Sequence, residues 1–225
     1  MLFLIVAGIF AVIGMVVQGR LRGKFKKYSE LPLQSGLSGR EVAERMLNHY
    51  GIHDVSIVQG QGFLTDHYNP ATKTVSLSPP VYQGKNVAAA SVAAHECGHA
   101  VQHATNYSML QFRTKMVPVV KVASVAQQYL FMLALFMMGS IPQLLLVVII
   151  AFAVTTLFSL VTLPVEFDAS RRALVWMDNS GVARSGAEYN GAKDSLKWAA
   201  LTYVVAALAA LSMLVVLVLS YLGRN

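Results

Sequence analysis

The chain has 225 residues, of which 55% are hydrophobic and only 13% charged, and it carries a net charge of +7. Soluble domains hold about 25% charged residues, so the deficit argues for membrane spans. The basic excess lacks the basic–aromatic groove pattern of nucleic-acid binders, and a single cysteine, Cys97, excludes an intrachain disulfide scaffold.

Met1 to Val17 is apolar and uncharged and is followed by Arg20, Arg22, Lys24, Lys26 and Lys27. A secretory signal peptide carries its positive charge before the apolar core. The reverse order predicts an uncleaved transmembrane anchor over residues 1–19. From 28 to 120 the texture changes to that of a small α+β unit. Ser38 and Glu41 form a capping box, with Leu37 and Val42 at the staple positions, and Gly51 stops the helix. Val55–Val58 is a short β-prone run. Phe63–Tyr68 and Thr72–Leu77 flank the turn Asn69-Pro70-Ala71 and read as a hairpin. Asn86 can cap a helix from Val87 to about Ala104.

Val122–Met138 and Ile141–Leu163 read as a transmembrane helical hairpin (122–163) joined through Gly139-Ser140. A polar segment, 164–197, precedes a last span over 198–222. Four spans put 18–121 and 164–197 on one side of the bilayer. That side then holds every Lys and Arg except Arg224. The positive-inside rule makes it cytoplasmic, with both termini outside.

The 87–104 helix carries His95-Glu96-Cys97-Gly98-His99. At 3.6 residues per turn, His99 lies about 40° and Glu96 about 100° around the axis from His95, so all three share a face. Two imidazoles one turn apart can hold one Zn²⁺, which takes three protein ligands at a catalytic site. Glu96 is then placed as the general base toward water. The longer HExxHxxGxxH pattern fails at Gln102 and Thr105. The third ligand is sought downstream: Glu166 is the leading candidate and Asp168 the alternative, with His103, one turn after His99, as a further possibility. The parity of four spans returns Glu166 to the side of His95.

HECGHAVQHA, preceded by LTDHYNPATKTVSLSPPVY and followed by LPVEFDASRRA, resembles the YugP-type membrane zinc metallopeptidases of bacteria. More distantly it is similar to HtpX-type membrane proteases and CAAX prenyl endopeptidases. The resemblance runs over most of the chain. It implies a multi-pass α-helical membrane protein with a zincin-like α+β unit, in the bacterial inner membrane. It also implies one Zn²⁺ per chain on His95, His99 and Glu166, with Glu96 catalytic. Ser170 stands where the wider group has an Asp that hydrogen-bonds a ligand histidine; Asp66 or Asp168 could supply that charge instead.

The expected activity is hydrolysis of peptide bonds in membrane or membrane-adjacent proteins. The alternatives are a zinc-binding membrane scaffold without turnover and a site-2-type intramembrane protease. The strand Thr72–Leu77 (Thr74, Val75, Ser76 and Leu77 at its centre) is expected as a substrate-pairing edge. His67, Tyr68, Arg171 and Tyr189 are candidate oxyanion stabilisers. Cys97, on the opposite helix face, reads as a packed thiol, and Gly98 as a point of close approach. The implied partners are a protein or peptide substrate and the lipid bilayer, with no nucleic acid; membrane partner proteins and homo-oligomers stay open.

Overall fold

The structure is a computed structural model that describes residues 2–136, 142–184 and 186–223. The apolar N-terminal run forms α1 (Leu2–Ser29), a single helix that continues through the basic cluster, so the expected boundary at 19 falls inside it. Lys26 and Lys27 in its last turn complement the negative end of the helix dipole. Lys24 and the Tyr28 hydroxyl both reach Asp194, at 2.6 and 2.7 Å, and tie the end of α1 to the last helix.

The polar unit starts with α2 (Gly39–His49). Its capping box forms as the sequence predicts: the Ser38 Oγ accepts from the Glu41 N–H, and the Glu41 carboxylate accepts from the Ser38 N–H. Gly51 follows with φ +67°, a left-handed turn that favours glycine. Three short strands come next: β1 (Ser56–Gln59), β2 (His67–Asn69) and β3 (Thr74–Leu77). β2 and β3 pair antiparallel as the expected hairpin, with Tyr68 opposite Val75. The first arm is shorter than read, because Leu64 adopts φ +57° and the chain bends before His67. β1 adds to the other side of β3 in parallel, giving the order β1-β3-β2.

That order corrects one expectation. The strand Thr74-Val75-Ser76-Leu77 is central, with both backbone edges already paired, and is no free edge for a substrate. Val75 and Leu77 are fully buried while Thr74 and Ser76 are half-buried. The strand with the driest inner face sits in the middle, and the more exposed β1 and β2 form the edges.

After the short α3 (Pro79–Gln83), Asn86 accepts from the Ala89 N–H at 2.9 Å and starts α4 (Val87–Ala104). The alanines of α4 let α2 and the two long C-terminal helices pack close around it. Those are α6 (Pro142–Asn179) and α7 (Gly186–Leu222); α5 (Ser108–Phe136) lies against α6. α6 and α7 are continuous, so the expected divisions at 163/164 and 197/198 lie inside helices. Buried side chains from α2, β3 and α4 join Trp176, Met177, Ala192 and Leu196 in one core. The far end of α6 and the start of α7 therefore complete the polar unit.

Among the described residues, α1, α6 and α7 are long and apolar enough to cross a membrane. The second expected span, 122–138, follows α5 and ends beyond the described residues, as does its connection Gly139-Ser140.

Candidate metal centre

Gly98 brings the centre together. A Cβ on it would sit 2.6 Å from the Ala169 carbonyl oxygen, so the backbones of α4 and α6 touch there. This contact sets the turns of α6 that carry Glu166 and Ser170 over His95 and His99. The two imidazoles lie one turn apart with ring centroids 4.8 Å from each other. Glu166 Oε2 stands 3.3 Å from His95 Nε2 and 3.6 Å from His99 Nε2. One ligand atom from each of His95, His99 and Glu166 falls within a 4.8 Å set.

The outer nitrogens of both rings are held. Ser170 Oγ lies 3.1 Å from His95 Nδ1. Gln102 Oε1 lies 3.0 Å from His99 Nδ1, while Gln102 Nε2 donates to the Val165 carbonyl (2.8 Å) and to Asp168 (2.9 Å). Two acceptors fix which end of the amide is nitrogen, so its oxygen faces His99 and Nδ1 must carry the proton. His99 Nε2 then presents a lone pair toward Glu166. Glu166 Oε2 is buried without a hydrogen-bond donor. While both facing nitrogens present lone pairs, a buried carboxylate oxygen in this position lacks a partner, and either a bound cation or a proton taken up by an imidazole supplies one. The donor set, two neutral nitrogens and one carboxylate, fits Zn²⁺. Arg113 Nη1 approaches the other oxygen, Glu166 Oε1, at 3.3 Å.

Glu96 is 8% exposed and lines two cavities that meet at the centre. The larger, about 570 Å³, is bounded by the 66–71 segment, both histidines, α5 and Tyr203. The smaller, about 200 Å³, opens between α1 and α7 past Leu21, Phe25 and Ala199. Burial and the two adjacent carboxylates act in opposite directions on His99, and the carboxylates win: its pKa lies above the usual histidine value. Burial holds the Asp66 carboxyl above its ordinary range although the Ser78 N–H and Oγ both donate to it.

The other expected residues separate clearly. Asp168 does not face the histidines; it sits behind Gln102 and accepts from Arg171 and Arg172. Asp66 lines both cavities and bonds Ser78, so it supplies no bond to a ligand imidazole. The partner of His95 is Ser170 itself. His103 turns to the Tyr68 hydroxyl at 2.8 Å, which takes it out of the ligand set. His67 and Tyr68 line the larger cavity, whereas Arg171 and Tyr189 belong to a different one. Cys97 is buried against the Ala43 carbonyl, and burial pushes its thiol pKa far up, as a packed thiol requires.

Three residues escaped the sequence reading: Gln102, Arg113 and Tyr203. Gln102 was legible in part, since it lies three residues after His99 on the same face. Tyr203 lies in an apolar run and lines both cavities. Nothing local in the sequence singles it out.

Residues 3–222 match the profile of a family described as "Putative neutral zinc metallopeptidase". The chain is 43% identical over 209 residues to the "Putative membrane protease YugP" of Bacillus subtilis (strain 168), covering 92% of each chain. No solved structure matches. A match over nearly the whole length, together with a histidine–histidine–glutamate set of the kind zinc requires, places this chain in the putative neutral zinc metallopeptidase family.

Proposed function

We propose that this chain is a zinc-dependent membrane endopeptidase, a zincin-like unit of the HExxH type with a glutamate third ligand. It would hold one zinc ion per chain on His95, His99 and Glu166. The observation that carries the reading is the orphaned Glu166 Oε2 facing two imidazoles whose outer nitrogens are already engaged. Zinc bound there supplies Lewis acidity that lowers the pKa of water from about 15.7 to near 7. Glu96 takes the proton of the attacking water and returns one to the leaving amine. Ser170 and Gln102 keep the imidazoles aimed at the centre. Tyr203, at the junction of the two cavities, is the candidate donor to the developing oxyanion, in place of Arg171 and Tyr189.

The strand that meets the substrate is reassigned to β2. It is a sheet edge, and residues 67–69 line the larger cavity, so an extended backbone can pair with it and pass His95 and Glu96. Substrates are membrane or membrane-adjacent proteins cut near the bilayer surface. The charge distribution supports four spans in a bacterial inner membrane, with the site facing the cytoplasm and both termini outside. α4 is not among the described helices apolar enough to span, which argues against a site-2-type intramembrane site.

The test is Glu96→Gln in purified, reconstituted protein. Zinc content should stay at the wild-type level while cleavage falls by about 10²–10⁴-fold. Wild-type cleavage rates in that variant would remove Glu96 from the mechanism.

A further inference from the structure

Another cavity, of about 400 Å³, lies between α6 and α7, away from Glu96. Its two ends differ in chemistry. Arg171, Lys193 and Lys197 line it beside Leu174 and Val175, and Phe167, Leu201 and Val204 follow toward the apolar runs of the two helices. Lys193 and Lys197 are exposed, one turn apart on α7, and neither joins an ion pair among the described residues. Arg171 bonds Asp168, but that carboxylate also serves Arg172, so the trio keeps a net positive charge. Asp194, beside Lys193 in sequence, is turned to Lys24 and Tyr28. Phe167 is 48% exposed, an aromatic ring in no core.

The level of the cavity along the helices is informative. Residues 142–163 of α6 carry no charge, and the first ionisable group beyond them is Glu166. In α7 the charge-free run begins immediately after Lys197 and continues to Leu222. The cavity therefore straddles the height at which both helices pass from charged to apolar. Lys193 and Arg171 stand on the polar side, and Leu201 and Val204 on the apolar side. A ligand with an anionic head and an alkyl tail matches both halves, and at this height a bilayer presents phosphate esters on acyl chains.

We propose that this cavity binds one anionic phospholipid, its phosphate between Lys193, Lys197 and Arg171 and an acyl chain along Phe167, Leu201 and Val204. Two lysines without carboxylate partners, beside an arginine that shares Asp168 with Arg172, favour a headgroup of net negative charge over a zwitterionic one. The site rests on the membrane placement proposed above and is independent of catalysis. Ser170 lines the same cavity and its hydroxyl contacts His95, so the lipid would lie one side chain from the metal centre.

The experiment is native mass spectrometry of protein released from nanodiscs containing phosphatidylglycerol and phosphatidylcholine of the same acyl chains. Wild type should retain one phosphatidylglycerol per chain in preference to phosphatidylcholine. Lys193→Ala/Lys197→Ala should lower that retention at least tenfold, since each surface cation changes affinity about fivefold. Lys193→Arg/Lys197→Arg should preserve it, and Val204→Trp, which keeps the cations and fills the apolar end, should lower it. Zinc content and thermal midpoint report folding in each variant. Equal retention of both lipids by wild type, or undiminished phosphatidylglycerol in the alanine variant, would overturn the proposal. Displacement by millimolar inorganic phosphate with no effect of Val204→Trp would instead assign the site to free phosphate and refute the lipid.

Discussion

Gly98→Ala tests the contact on which the centre depends. The added methyl would lie 2.6 Å from the Ala169 oxygen and 3.1 Å from its carbonyl carbon and Cα, whereas ordinary contact begins at 3.4 Å. Both partners are backbone in helices, so no side chain can rotate away. α4 and α6 must part by about 0.8 Å, and overpacking of this kind costs about 1–3 kcal/mol. For a chain of this size that lowers the thermal midpoint by about 4–8 °C at the centre of the range. The larger effect falls on the metal. Glu166 sits on α6 and the two histidines on α4, so the separation acts along the Glu166–His95 distance of 3.3 Å. Zinc bonds of about 2.0–2.2 Å cannot stretch by that amount, and zinc affinity should fall by at least tenfold. The assays are chelator competition for zinc and thermal unfolding in the same detergent. Gly23→Ala, where nothing lies within 4 Å of the added carbon, is the control and should be neutral or slightly stabilising. A Gly98→Ala protein with wild-type zinc affinity and midpoint would refute the account of how α4 and α6 are held.

Gln102→Leu keeps the buried volume but leaves the Val165 carbonyl and Asp168 without the amide donor and His99 Nδ1 without its acceptor. We expect a loss of about 1–3 kcal/mol in stability and about 10–100-fold in zinc affinity, read by thermal unfolding and chelator competition. Ser170→Ala should weaken zinc by a similar factor with little change in midpoint, whereas Ser170→Asp should tighten it; equal zinc affinity in all three proteins would remove Ser170 from the support of His95. Arg113→Met removes the guanidinium from Glu166 Oε1 while preserving the stem, and zinc retention after dialysis against chelator should drop; unchanged retention would show that Glu166 needs no second anchor.

What the sequence shows best is what is local. The Ser38–Glu41 box, the Asn86 cap and the spacing of His95 and His99 each depend on residues within one or two helical turns, and each forms as read. Glu166 lies beside the two histidines, and the sequence pointed to it only through an expected span parity and the resemblance of the stretch that carries it, since no local spacing joins residue 166 to residue 95. The sheet order was not reachable. Whether Thr74–Leu77 is an edge depends on a parallel partner, Ser56–Gln59, that joins it on the side away from β2 and leaves no mark on the strand itself. Arg113 and Tyr203 escaped for a related reason: each sits on a helix whose rotation about its own axis is set by packing against α6 and not by its own pattern of residues.

The serine at position 170, where the resemblance implies an acid, acquires a physical meaning beside Gln102. An orienting carboxylate makes a ligand imidazole more basic. Here both orienting groups are neutral, a hydroxyl on His95 and an amide oxygen on His99. The nearest acid, Asp168, is one hydrogen bond further out, and two arginines already draw on its charge. The negative charge left at the centre comes from Glu166 and Glu96, and no carboxylate bonds the outer nitrogen of either histidine. A zinc ion on His95, His99 and Glu166 would be held less tightly than one with an acid behind each histidine. Ser170 is therefore not a gap in the support of His95 but one half of a neutral pair, and the geometry of Gln102, fixed at three points, is what keeps that pair aligned without added charge.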